Sequence, residues 1–232
     1  MSRPETPGRS APSIQAIMEK NFREEATIEG NLVTASRGRD VRTLLVTSCS
    51  PGEGKTVAAI SLAVTLARMP DRRILLVEGN LRGPKIASLL GLEAEPGLSD
   101  LISRRVPIEG VLQSTQWKNL QVITQGSPMD NPLSVFRTQE FPGWIKGFRD
   151  GTTSVPAFDY VIFDTPFYLG PSDTSIMACH FDGVLLVVQG EKTKWVVAQM
   201  VRDRLKGVGG NPLGVILNRR KFYIPQWFYR FI

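Results

Sequence analysis

TLLVTSCSPGEGKT, residues 43–56, decides the fold. Leu44, Leu45 and Val46 form a short apolar run of strand type, and the residues up to Gly54 are rich in turn formers. From Lys55 onward, Ile60, Ala63, Val64 and Ala67 recur at the i, i+3, i+4, i+7 spacing of a helix. Strand, glycine loop, Lys-Thr and helix, in that order, form the phosphate-binding loop of nucleotide triphosphatases. Pro51, Gly52, Glu53, Gly54, Lys55, Thr56 and Val57 are therefore the candidate nucleotide contacts. Gly52 and Gly54 let the backbone curl so that successive N–H groups point at phosphate oxygens. The helix starts at the same place, so its positive end faces the anion. Lys55 can reach the outer phosphates, and Thr56 can place a hydroxyl on Mg²⁺. Where the usual pattern has one more glycine, this chain has Cys49. The acidic strand ends downstream supply the remaining context.

The 232 residues are 42% hydrophobic and 22% charged, which fits a globular α/β protein with a buried sheet. No apolar run approaches the ~18–20 residues of a membrane span, and the N-terminus lacks the apolar core of a secretory signal. Cys49, Cys179 and His180 are too few for a disulfide scaffold or a metal centre. His180 reads as a helix-end or packing residue. A reducing, cytoplasmic setting follows. The formal charge of +6 is compatible with an acidic partner, a membrane surface or solubility alone.

Residues 1–12 are rich in Pro, Ser, Gly and Arg and read as a disordered lead; residues 14–35 carry a helical apolar side. Beyond the phosphate loop, RILLV (73–77), LQVIT (120–124), YVIF (160–163), VLLVV (184–188) and LGVIL (213–217) read as strands. Between them, helices are expected at 86–90, after Gly97, over 133–148 with a break at Pro142, and over 193–206. Continuous apolar strands alternating with helices predict a doubly wound, mostly parallel α/β sheet covered on both faces. Residues 13–218 are expected to form a single domain, followed by a tail over 219–232.

Ligands in such sheets bind at the carboxyl ends of the strands. Asp164 closes one strand and is the candidate metal-holding carboxylate, together with Thr56. Glu78, Asn80 and Arg82 follow the second strand. Glu78 could bind the metal or take a proton from an attacking hydroxyl, which Asn80 cannot do. Arg82 could neutralise phosphate charge or hold a neighbouring subunit.

Taken together, SCSPGEGKT (48–56), ILLVEGNLRGP (74–84), QGSPMDNPLSVFRTQEF (125–141), YVIFDTP (160–166), DGVLLVV (182–188) and GVILNR (214–219) resemble, in order, the bacterial tyrosine kinases. These are cytoplasmic P-loop kinases of capsule and exopolysaccharide export, in the same branch as the ParA- and MinD-like ATPases. The resemblance implies an ATP–Mg²⁺ enzyme that phosphorylates tyrosines on itself and its neighbours in a ring-like homo-oligomer. It implies a membrane-embedded polysaccharide copolymerase as partner, and a place at the inner face of the plasma membrane through that partner. Lys55 and Thr56 match the family's phosphate-loop residues, Asp164 its second acidic motif, and Asn218 a position near the nucleotide base. The family pattern after the second strand is Asp-x-Asp-x-Arg, whereas this chain has Glu78-Gly79-Asn80-Leu81-Arg82. That departure sets a phosphotransferase beside an ATP-driven switch that transfers nothing. The N-terminal oligomerisation segment of the family corresponds to Glu25-Ala26-Thr27-Ile28, without its arginine.

The tail RRKFYIPQWFYRFI (219–232) is basic and aromatic, and Tyr223 and Tyr229 are its candidate phosphoacceptors. Its composition suits an anionic membrane interface, a copolymerase's cytoplasmic end, or packing back on the domain. Partition and septum-positioning ATPases carry an extra lysine early in the loop, where this chain has Ser50. Nucleic acid is accordingly not an expected partner.

Overall fold

A computed structural model describes residues 38–103, 105–170 and 173–219, with Leu32, Thr34 and Ala35 ahead of them. The expectations for the lead, for Glu25–Ile28 and for the tail with Tyr223 and Tyr229 lie outside the described residues.

The elements run β1 (Thr43–Ser48), α1 (Lys55–Ala67), β2 (Ile74–Glu78), α2 (Ile86–Leu90), α3 (Leu98–Ile102), α4 (Ile108–Val111), β3 (Gln113–Ser114) and β4 (Leu120–Ile123). They continue with α5 (Pro132–Phe136), α6 (Phe141–Asp150), β5 (Tyr160–Asp164), α7 (Asp173–Met177), β6 (Gly183–Gln189), α8 (Trp195–Gly207) and β7 (Pro212–Asn218). One seven-stranded sheet takes the order β3-β4-β2-β5-β1-β6-β7. All neighbours are parallel except β3, which pairs antiparallel with β4.

The expected strands are all present. β3 was not legible, because two polar residues on a sheet edge carry no apolar signature. The helical stretch over 133–148 is two helices separated at residues 137–140, and Pro142 lies in the first turn of α6 rather than at a break. The first turn tolerates proline because its N–H has no intrahelical acceptor there.

Alternation along each strand sorts the core into two layers. Leu44, Val46, Ile74, Leu76 and Ile162 face α1, whose Ala59, Ile60 and Ala63 are fully buried. Leu45, Leu75, Val77, Val161 and Phe163 face the opposite layer, which is filled by Phe136, Phe141, Phe148, Phe158 and Phe181. His180 ends a short 3₁₀ turn and sets its ring edge-on to Phe141 at 5.9 Å. Burial on both faces is what a parallel sheet with continuous apolar strands requires. It also leaves the carboxyl ends of β1, β2 and β5 side by side, with Val46 level with Asp164 and Asp164 level with Glu78.

Candidate active site at the carboxyl ends of β1, β2 and β5

The loop after β1 is tied down from within and from across the molecule. Gly52 and Gly54 both have positive φ (80° and 88°), and Gly54 leads directly into α1. Glu53 is buried at its tip. Its Oε2 accepts the Ser50 N–H at 2.9 Å, and its Oε1 accepts the Thr193 hydroxyl in a short contact. The side-chain amide of Asn218 donates to the Glu53 carbonyl at 2.9 Å. The tip of the loop is therefore clasped by the segment that follows β6 and by the last residue of β7. Pro51 and Gly52 are exposed, while Lys55 and Val57 are half-buried at the start of α1. The first turn of α1 has no acidic side chain and no side-chain cap. Its positive end is left to an external anion, as a phosphate site requires.

Cys49 is packed in the core, and burial, with Glu53 nearby, pushes its thiol up to about 12. It is a neutral packing group beneath the loop.

Asp164 is fully buried. Its Oδ2 accepts the Thr56 hydroxyl at 2.6 Å, and Lys55 Nζ lies 3.9 Å from Oδ1. Among the described residues Oδ1 has no hydrogen-bond partner. A buried carboxylate oxygen without a donor is costly unless a cation completes it. The oxygen donors of Asp164 and Thr56 fit a hard divalent ion in coordination chemistry. Burial raises the Asp164 pKa, while Lys55, Thr56 and Lys85 oppose the shift.

Glu78 is also buried, and it is the last residue of β2 rather than a residue beyond it. Its carboxylate accepts backbone N–H groups from Lys85 at 2.7 Å, Ile86 at 2.9 Å and Asn80 at 3.3 Å. It thereby organises the whole loop from residue 79 to the start of α2. Burial first, and then the charge of Asp164, raise its pKa; the N–H bonds and Lys55 counteract this. The sequence offered Glu78 as a carboxylate that could bind the metal or take a proton, whereas both of its oxygens hold the loop. Asn80 turns its amide onto the Gly83 carbonyl at 2.8 Å. Arg82 Nε donates to Asp173 Oδ2 at 3.1 Å. The Gly79 N–H donates to the Asp164 carbonyl at 2.8 Å, which locks the two strand ends together.

Sequence reasoning missed Thr193, Asp173 and Lys85. Thr193 reads only as the start of the helix over 193–206, and the sequence offers no reading for Asp173. Their partners are 140 and 91 positions away, and no local pattern encodes such pairs.

Residues 40–228 match the family profile described as "ParA: NUBPL iron-transfer P-loop NTPase". The chain is 31% identical over 201 residues to tyrosine-protein kinase YwqD of Bacillus subtilis, covering 87% of this chain and 82% of the relative. The chain belongs to the bacterial tyrosine-kinase family of ParA-like P-loop NTPases. Tyrosine-protein kinase CpsD of Streptococcus pneumoniae serotype 4 is 32% identical over 192 residues, covering 82% and 81% of the two chains. The solved kinase domain of VpsO superposes with a TM-score of 0.75 at 31% identity, over 89% of this chain and all of that one. The likeness to these relatives extends over most of the chain, from the glycine loop through the Asp164 strand end.

Proposed function

We propose that the protein binds Mg²⁺–ATP at the carboxyl ends of β1, β2 and β5 and transfers the γ-phosphoryl group to tyrosine. Its place would be at the cytoplasmic face of the membrane, in capsule or exopolysaccharide export, as a homo-oligomer beside a membrane-embedded copolymerase. One observation carries the reading: Thr56, Lys55 and a buried Asp164 with one unpartnered oxygen converge beneath the loop.

The roles follow from position. The N–H groups of residues 52–57 and the end of α1 cradle the phosphates. Lys55 offsets charge on the outer phosphates as the bond from the γ-phosphorus to the departing ADP breaks and the bond to the phenol oxygen forms, the phenol proton passing to solvent. Asp164 and Thr56 would hold the magnesium ion, which when bound would supply charge neutralisation. Asn218, beside Gly54, would stand near the nucleotide base, as the resemblance implies. Glu78 acts by fixing the loop that carries Asn80 and Arg82, and Arg82 stands at its outer edge. The resemblance makes Tyr223 and Tyr229 the acceptors. The transition state of this reaction is loose, so positioning and charge matter more than a strong base. Incubation with Mg²⁺–ATP followed by mass spectrometry should find phosphotyrosine on wild type and none on Lys55→Met. An unlabelled wild type would defeat the transferase reading.

The commitment of Glu78 to three backbone N–H groups favours a second reading, a nucleotide-driven switch without transfer. Under it, Mg²⁺–ATP would change the oligomeric state in light scattering while no tyrosine became labelled.

A further inference from the structure

The carboxyl ends of β2 and β4 enclose a cavity of about 260 Å³ that the phosphate site does not use. Leu81 and Pro84 of the loop after β2 form one wall, and Gln125, Ser127 and Met129 of the loop after β4 form another, with Glu95 among the lining residues. β4 is two strands from β5 in the sheet, so with strands ~4.8 Å apart the cavity lies roughly 10 Å from Asp164. A tyrosine whose hydroxyl meets the γ-phosphate would place a residue one or two positions away at this distance.

The lining chemistry is one-sided. Leu81, Pro84 and Met129 supply apolar walls, and among the described residues no lysine or arginine lines the cavity. Its charged group is Glu95, which accepts the Ser127 hydroxyl at 3.0 Å. Apolar walls ending in the Glu95 carboxylate suit a long cationic side chain, whose methylene stem packs while its head donates. Both candidate acceptors have such a neighbour: Lys221 lies two residues before Tyr223, and Arg230 directly follows Tyr229.

We propose that this cavity docks the lysine or arginine flanking an acceptor tyrosine, so that the protein selects basic acceptor peptides such as residues 219–230 of a second copy. The inference rests on the phosphotransfer reading but is tested by binding alone.

A labelled peptide with the sequence of residues 219–230, both tyrosines replaced by phenylalanine, is titrated into full-length protein with Mg²⁺–ADP and followed by fluorescence anisotropy. Glu95→Gln removes the charge at an exposed position, and Met129→Trp fills the cavity. Each should weaken the peptide about tenfold or more, the loss expected for one charge-assisted hydrogen bond or for lost access. A peptide with glutamine at every basic position should weaken to the same extent. Nucleotide affinity, titrated separately, should not change in either variant. Equal peptide binding by wild type and both variants would overturn the proposal, as would equal binding of the glutamine peptide or no binding at millimolar concentration. Peptide binding without phosphate transfer leaves docking intact and removes only the transferase reading.

Discussion

Asn218 and Glu53, 165 positions apart in sequence, are joined by a 2.9 Å hydrogen bond from a side-chain amide to a backbone carbonyl. This contact makes the end of β7 part of the phosphate loop. A Cβ at Gly54 would stand 2.1 Å from the same Asn218 amide nitrogen, and Gly54 has φ of 88°. Gly54→Ala should therefore abolish measurable nucleotide binding in calorimetry. Asn218→Ala alone should weaken it up to about tenfold, the value of one hydrogen bond. The double variant should remain as defective as Gly54→Ala, because removing the amide relieves the clash but leaves alanine in a left-handed conformation. Recovery of binding in the double variant would show that the clash alone matters.

Asp164→Asn should separate stability from function. The wild-type carboxylate is buried, raised in pKa by desolvation, and has an oxygen without a donor. Its neutral replacement should raise the melting temperature of the nucleotide-free protein. The same variant should lose the further rise that Mg²⁺–ADP gives wild type, since linkage requires binding to the folded state. A lower melting temperature without nucleotide, or a retained magnesium-dependent rise, would contradict this assignment.

Glu78 and Asp164 set the pH dependence. Both carboxylates have pKa values raised in the folded protein, by burial first. Above the ordinary glutamate value of 4.5 the unfolded chain has released its protons while the folded chain still holds some. Stability therefore falls as pH rises through the raised values, and it is fully present only below the ordinary range. Denaturation in the absence of magnesium and nucleotide, from about pH 5 to about pH 9, should show this decline. Glu78→Gln keeps an acceptor oxygen for the loop and should flatten the decline. An equally steep slope in that variant would remove Glu78 from the account. Glu78→Ala should instead strand the N–H groups of Lys85 and Ile86, costing about 1–3 kcal/mol.

Arg82 and Asp173 form an uneven pair, with side chains 43% and 1% exposed. Removing one partner of a fully buried pair costs ~3–5 kcal/mol. Solvent around Arg82 screens part of that, so Arg82→Ala should cost about 1–2 kcal/mol in chemical denaturation. Asp173→Asn should be milder, because it leaves no buried charge behind. Denaturation midpoints showing Asp173→Asn to be the more damaging change would mean that Asp173 has partners beyond Arg82.

The sheet, its parallel direction, the phosphate loop and the Asp164 strand end were all legible in the sequence. They are written in local patterns: apolar runs for buried strands, a 3.6-residue period for α1, and glycines at the turn. Local pattern does not report what meets across the fold. Glu78 looked like a phosphate-facing carboxylate because its strand position allows it; only the fold shows its oxygens drawn to the N–H groups of Asn80, Lys85 and Ile86. Thr193 and Asn218 close on Glu53, and Asp173 on Arg82, through separations that no window of sequence spans. The chain by itself thus determined where the glycine loop and the Asp164 strand end lie, since backbone curvature and strand burial are short-range properties. The tertiary structure alone decided which side chains are free to take part, because buried polar groups must be satisfied by whatever the packing brings near them.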